Sequence, residues 1–310
     1  MASLVRDRIT GAAAPATLGL AGPLAALVLG ACAMGASPVF VRIVSPEVGP
    51  FASAFWRVAL ALPLLYGWMR LEAGDASPAS GIGGSAYLAG AAFAGDLIFW
   101  HLAILNTSVA NATFFATMAP VFVVLVSLAL GRAVGARIFA GLALCVGGGA
   151  ALIGQSMALE PGRIVGDAYG IVTAGFFALY FLFMARAREA VGPGALTFGS
   201  SLVTAGILLV VALAVDPGSF WPQSQGAWLA LVALALVSQV AGQGLLAVAL
   251  GRLPALFSSL VIFLEAIFAA AAGWVVLGER LTLVQIGGGT LILLGVWIAR
   301  PRAASAGVAR

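Results

Sequence analysis

Residues 194–215 read GALTFGSSLVTAGILLVVALAV, an apolar run without a charged side chain. A helix needs about 20 apolar residues to cross the hydrocarbon core of a bilayer, so this run is long enough to span a membrane. Nine similar stretches lie elsewhere in the chain, joined by short polar connections. The sequence therefore predicts an all-α integral membrane protein with ten transmembrane helices.

The composition agrees with this prediction. The 310 residues are 62% hydrophobic and 8% charged, which leaves too few polar side chains to cover a water-soluble fold. We place the spans at residues 20–44, 50–69, 84–105, 108–130, 138–157, 165–185, 194–215, 226–250, 254–277 and 281–299.

The polar residues that are missing exclude several chemistries. All 15 basic residues are arginine, and without lysine the chain can form neither a retinal or pyridoxal Schiff base nor a phosphate loop ending in Gly-Lys-Ser/Thr. One histidine (His101) and two cysteines (Cys32 and Cys145) are too few for a haem pair or a structural zinc site. We expect no cofactor and no metal.

Arginine positions indicate the topology, because cytoplasmic loops carry an excess of basic residues. If both termini are cytoplasmic, eleven arginines lie inside, three lie outside and Arg57 lies within a span. The inside set is Arg6, Arg8, Arg70, Arg132, Arg137, Arg186, Arg188, Arg252, Arg300, Arg302 and Arg310; the outside set is Arg42, Arg163 and Arg280. We therefore predict a multi-pass protein of the bacterial inner membrane with both termini in the cytoplasm.

The two halves of the chain resemble each other. Val48-Gly49-Pro50 recurs as Val191-Gly192-Pro193 at an offset of 143 residues. At an offset of 147, Leu130-Gly131-Arg132 matches Leu277-Gly278-Glu279, and Gly141 and Gly148 match Gly288 and Gly295. The predicted repeats are 1–160 and 161–310. Because each holds five spans, the second must enter the membrane inverted, an arrangement typical of transporters.

The end of the second half resembles a known family. Leu264-Glu265-Ala266-Ile267-Phe268, followed by Gly273-Trp274, Leu277-Gly278-Glu279-Arg280-Leu281-Thr282, Gly288 and Gly295-Val296, resembles the end of an EamA repeat of the drug/metabolite transporter superfamily. In the first half, Arg57, Ala119-Pro120 and Leu130-Gly131 agree. Arg132 stands where glutamate is usual, and Ala266 where proline often follows glutamate.

The resemblance implies ten spans, a 5+5 inverted duplication and export of small metabolites. The aromatic-rich middle of the chain looks most like the YddG-type exporters of aromatic amino acids.

Four ionisable residues lie within predicted spans, where each costs about 2.5–3.5 kcal/mol on insertion scales: Arg57, Asp96, His101 and Glu265. Arg57 and Asp96 lie at comparable depths, so they form either a structural ion pair or a site in which Arg57 holds a substrate carboxylate and Asp96 carries a coupling proton. Glu265, near the middle of span nine, either titrates or locks neighbouring helices. His101 lies near the outer end of span three, where interfacial water can reach it.

Aromatic and polar side chains suggest a binding cavity. Tyr169, Thr173, Phe176, Tyr180 and Phe183 share one face of span six; we expect this face to point inward, with Trp100 opposite. The pairs Gln239 and Gln243, Asn111 and Met118, and Ser258 and Glu265 each share a helical face. These residues either bind a zwitterionic substrate or hold helices together.

Pro38 and Pro120 interrupt spans one and four, because proline removes a backbone hydrogen bond and kinks a helix. We interpret both as candidate hinges.

We therefore expect a secondary transporter that exports small metabolites, with amino acids, and aromatic ones above all, as the favoured substrates. Alternatives are export of drugs or amphipathic amines and, in another class, an intramembrane enzyme or receptor. HExxH and GxSxG motifs are absent from the sequence, so we expect no enzyme. The partners that we expect are the bilayer and one small molecule, with the chain acting as a monomer and without nucleic acid.

Overall fold

The computed structural model describes residues 20–74, 83–107, 109–153, 164–215, 217–277 and 282–301. These residues form ten helical segments, which we number α1 to α10. They are α1 (Ala21–Gly35 and Ser37–Val44), α2 (Pro50–Ala59 and Leu62–Ala73), α3 (Gly84–Asn106), α4 (Val109–Ala116 and Ala119–Ala129), α5 (Ala136–Ile153), α6 (Ile164–Ala187), α7 (Pro193–Val215), α8 (Gln225–Leu234, Ala235–Gln243 and Gly244–Leu250), α9 (Ala255–Val261 and Phe263–Leu277) and α10 (Leu283–Ala299).

The ten predicted spans are confirmed, with ends that differ by a few residues. Within the described residues, seven segments are long and apolar enough to cross a membrane, and α5, α9 and α10 contain shorter apolar helices. Several residues used for the topology and the motif, namely Arg6, Arg8, Arg163, Gly278, Glu279, Arg280, Leu281, Arg302 and Arg310, lie outside the described residues.

Helix contacts follow a matched pattern in the two halves. α3 packs against α6 as α8 packs against α1, and α4 packs against α6 as α9 packs against α1. α2 contacts α7, and α5 contacts α10. Exchanging the first five helices with the last five leaves this pattern unchanged, as an inverted duplication requires.

Glycines allow a close contact between α5 and α10. A Cβ atom on Gly148 would lie 2.5 Å from the carbonyl oxygen of Gly288, and one on Gly141 would lie 2.7 Å from that of Gly295. Because Gly141 corresponds to Gly288 and Gly148 to Gly295 in the sequence repeat, each glycine contacts the counterpart of the other. The contacts are those of two antiparallel helices related by an approximate two-fold axis between them.

Two glutamates join the halves at opposite ends of α2, one at the start of α8 and the other at the start of α7. The Glu47 carboxylate, before α2, accepts hydrogen bonds from the backbone amides of Gln223 (3.1 Å) and Ser224 (2.8 Å) and from the Ser224 hydroxyl (2.6 Å). At the end of α2, Glu72 accepts from the amides of Gly194 (2.8 Å) and Ala195 (3.2 Å). Helix N-termini leave such amides without partners and favour negative charge, so each carboxylate stabilises the start of a helix in the other half.

Several helices are interrupted within the membrane. α1 breaks before Pro38 and α4 breaks before Pro120, as predicted. α2 also breaks, before Pro63, whereas α9 breaks at Ile262 without a proline. Residues Ala235–Gln243 of α8 form a π-helix, which the sequence did not predict.

We expect Gly148→Ala to destabilise the protein, because the added methyl group must displace the backbone of α10. The matched control is Gly147→Ala on the same helix, where a Cβ meets nothing within 4 Å and alanine favours the helix by about 0.5–1 kcal/mol. In a thermal unfolding experiment in detergent, Gly148→Ala should lower Tm by about 2–6 °C, whereas Gly147→Ala should leave Tm unchanged or raise it. Equal effects of both substitutions would contradict close packing of α5 against α10.

We also expect a pH-dependent contribution from Glu47. Hydrogen bonds from Ser224 and Gln223 lower the pKa of Glu47 below its ordinary value of 4.5. Stability from the carboxylate is then fully present above pH 4.5 and is lost as the pH falls through the lower folded-state pKa. The Tm difference between wild type and Glu47→Gln should be largest near neutral pH and shrink toward pH 3. The exposed Glu189 supplies the control Glu189→Gln; a constant difference for Glu47→Gln across this range would refute the interpretation.

Candidate functional site

A central cavity lies between the two halves of the protein. It encloses about 620 Å³ of space not filled by protein atoms, part of it open to the outside. Its lining comes from seven helices: Met34, Gly35, Ser37 and Pro38 of α1, Arg57 of α2, Phe93, Asp96, Leu97 and Trp100 of α3, Thr113, Ala116 and Thr117 of α4, Phe177 of α6, Gln243 of α8, and Glu265 and Ala269 of α9.

Helical periodicity and helix breaks bring these side chains to the cavity. Phe93, Asp96, Leu97 and Trp100 are spaced by three or four residues and so share one face of α3. The breaks in α1 and α4 lie beside the lining residues Ser37 and Thr117.

Arg57 is the cation of the cavity. The residue is 6% exposed, and its Nε atom has no hydrogen-bond partner among the described residues. Its guanidinium carbon lies 5.7 Å from the centroid of the Phe93 ring, a favourable position for a cation over an aromatic face.

Asp96 and Glu265 contribute two carboxyl groups to the same cavity. Within the described residues, no ion pair joins Arg57 to either of them, and Glu265 Oε1 is buried without a hydrogen-bond partner. The structure thus brings the three predicted residues together around one cavity, but Arg57 and Asp96 do not form a direct salt bridge.

Aromatic rings form another part of the lining, with Trp100, Phe93 and Phe177. Tyr180 lies behind them, and its ring is stacked on Phe93 at 4.8 Å and near Phe177 at 6.1 Å between centroids. Flat apolar groups can bind to such a surface by burial and stacking.

The sequence-predicted residues divide into two sets. Those that line the cavity are Arg57, Asp96, Glu265, Trp100, Gln243 and Pro38. Those that lie away from its lining are His101, Met118, Phe176, Tyr180, Gln239, Ser258 and Pro120. The side chain of Asn111 is outside the described residues.

Access of water to His101, expected from the sequence, is not found. The residue is 2% exposed, its Nδ1–H donates to the Leu97 carbonyl oxygen at 2.6 Å, and its ring contacts the rings of Trp100 and Phe51. Because His101 follows Trp100 directly on α3, its imidazole points away from the cavity and packs between helices.

On the predicted face of α6, Thr173 and Tyr180 are buried, but Phe177 rather than Phe176 lines the cavity. Phe176 stacks on Phe99 at 5.5 Å. Thr173, which suggested a polar inward face, donates its hydroxyl to the carbonyl oxygen of Tyr169 on its own helix and therefore needs no polar neighbour.

The two glutamines of α8 do not act as one pair. Gln239 Nε2 donates to Ser201 Oγ of α7 at 3.1 Å, whereas Gln243 faces the cavity.

The remaining predicted residues that the structure describes do not line the cavity and contribute to helix packing instead. Met118 packs against the hydrophobic core. Ser258 is buried before the break at Ile262, so it does not share a continuous face with Glu265. Pro120 lies in the first turn of the second part of α4.

Several lining residues were missed by the sequence analysis, including Phe93, Thr113, Thr117 and Phe177. Phe93 lies one turn before Asp96 on α3, which is a signal that could have identified it. Thr117 lies at the break of α4, three residues before Pro120, and this position is a second signal that could have been used.

The sequence profile of the EamA-like transporter family matches this chain twice, at residues 21–154 and 164–300. The chain belongs to the EamA-like transporter family. Each match spans five of the ten helical segments, which is the repeat organisation of the EamA fold.

Curated relatives and a solved structure agree with this EamA membership. Two proteins of Archaeoglobus fulgidus, each named "Uncharacterized transporter", are similar to the chain. One is 32% identical over 199 residues (64% of this chain, 69% of the relative), and the other is 26% identical over 270 residues (84% and 91%). A solved crystal structure superposes with a TM-score of 0.76 at 17% identity, covering 90% of this chain and 96% of the other, which shows the shared fold.

This EamA protein is therefore a multi-pass membrane transporter. Its cavity combines a guanidinium, two carboxyl groups and an aromatic surface.

Proposed function

We propose that this transporter exports amino acids, preferentially aromatic ones, across the bacterial inner membrane. The cavity between the two repeats, 1–160 and 161–310, opens alternately to the two sides. No ATP-binding loop is present in the sequence, so the driving force is a solute gradient.

The observation that carries the proposal is that two ionisable residues lining one cavity, Arg57 and Glu265, each have a buried polar atom without a hydrogen-bond partner among the described residues. These atoms are Arg57 Nε and Glu265 Oε1, and leaving polar atoms without partners in a membrane is costly. A zwitterion supplies both complements, because its carboxylate can bind Arg57 and its ammonium can bind Glu265 or Asp96.

The aromatic lining supports a preference for aromatic side chains. With the charged end of the substrate at Arg57, an indole or phenyl group can pack against Trp100, Phe93 and Phe177, all of which line the same cavity.

The inverted repeat supports alternating access. Two halves of opposite orientation can exchange conformations, so a site between them faces first one side and then the other. The arginine distribution supports an orientation with both termini in the cytoplasm. The resemblance to YddG-type exporters supports transport out of the cell.

A second candidate is export of amphipathic amines. The cavity holds two carboxyl groups against one guanidinium, so an organic cation could bind when both acids are ionised.

The test is uptake of labelled phenylalanine, tryptophan, threonine and a cationic dye into proteoliposomes, with and without an imposed pH gradient. We expect saturable uptake of the aromatic amino acids, reduced about tenfold or more by Arg57→Gln, because a hydrogen-bonded charge contact is lost. The matched control is Arg70→Gln, at the exposed end of the same helix. Dye uptake without amino acid uptake, lost in Glu265→Gln, would refute the proposal and favour the second candidate.

A further inference from the structure

Gln243 connects three helices at the edge of the cavity. Its Oε1 atom accepts a hydrogen bond from the Tyr180 hydroxyl of α6 at 2.8 Å, and its Nε2 atom lies 3.2 Å from the sulfur of Met34 in α1. Both Gln243 and Met34 line the cavity. The amide therefore has one end fixed in the protein interior and the other end at the binding space.

The chemistry of Met34 and Tyr180 determines which end of the Gln243 amide carries the NH₂ group. A thioether has no hydrogen to donate, so the side of the amide that faces Met34 must be the NH₂ group. The carbonyl oxygen then faces Tyr180 and receives the phenolic hydrogen.

The Gln243 Nε2 group therefore donates its hydrogen bond to a weak acceptor, the Met34 sulfur. A thioether sulfur accepts hydrogen bonds poorly, whereas hydrogen bonds to a carboxylate are roughly twice as strong as neutral ones. A carboxylate entering the cavity would replace Met34 as the partner of this donor with a gain in free energy.

Tyr180 fixes two neighbours of this site. It is 1% exposed and lies outside the cavity lining. Its hydroxyl orients the Gln243 amide, and its ring stacks on Phe93, whose other contacts include the Arg57 guanidinium at 5.7 Å. One buried side chain thus holds both a donor and the aromatic neighbour of the cation.

We propose that Gln243 Nε2 and Arg57 together bind the carboxylate of a zwitterionic substrate, and that Tyr180 is the residue that positions them. This rests on the proposed function, since it assigns atoms to the recognition of an amino acid.

The experiment measures phenylalanine KM in proteoliposomes, together with inhibition by 3-phenylpropionate, which lacks the ammonium group, and by 2-phenylethylamine, which lacks the carboxylate. Gln243→Leu should raise KM and the inhibition constant of 3-phenylpropionate about tenfold and leave that of 2-phenylethylamine unchanged. Tyr180→Phe keeps the stacked ring and should produce a smaller change with the same selectivity. Met34→Leu removes the competing acceptor and should lower KM.

Tyr180→Phe also keeps the inference testable if Gln243→Leu fails to fold. A purely structural role for these residues predicts equal effects on all three ligands, or a change in maximal rate alone, and either result would overturn the inference while leaving the proposed function intact. Absence of saturable phenylalanine uptake by the wild type would overturn both.

Discussion

The hydrocarbon core of a membrane contains no water, so the backbone polar groups of the chain must be satisfied by the protein itself. The backbone meets this constraint by forming helices. At the α5–α10 contact, glycines allow the helices to approach closely, which supplies packing where the hydrophobic effect between helices is absent. The same constraint gathers Arg57, Asp96 and Glu265 around one interior cavity, away from lipid.

These features connect the fold with transport. Matched contacts in the two halves place the cavity between them, and the carboxylates of Glu47 and Glu72 join the halves at opposite ends of α2. Breaks in α1 and α4 occur at or beside residues that line the cavity. A substrate that supplies the missing hydrogen-bond partners of Arg57 and Glu265 is stabilised in the interior, and no charge is left in contact with lipid.

Much of the fold was predictable because hydropathy and the repeated glycines each constrain it independently. Arg57, Asp96 and Glu265 were predictable as cavity residues because an ionisable group is costly in lipid. Neutral residues carry no such signal, so Phe176 was chosen from its helical spacing to Thr173 and Tyr180, whereas Phe177 lines the cavity. The partners of the two glutamines in α8 were not predictable from their spacing either, since Gln239 bonds to Ser201 whereas Gln243 lines the cavity.

The central claim is that one cavity between the halves faces both sides of the membrane in turn. It is tested most directly by Ala269→Cys in a variant without Cys32 and Cys145, labelled in oriented membrane vesicles with a membrane-impermeant maleimide added to one side at a time. The account predicts labelling from both sides and protection by phenylalanine from each. Labelling from one side only, in the presence and absence of substrate, or labelling that no transported substrate slows, would contradict it.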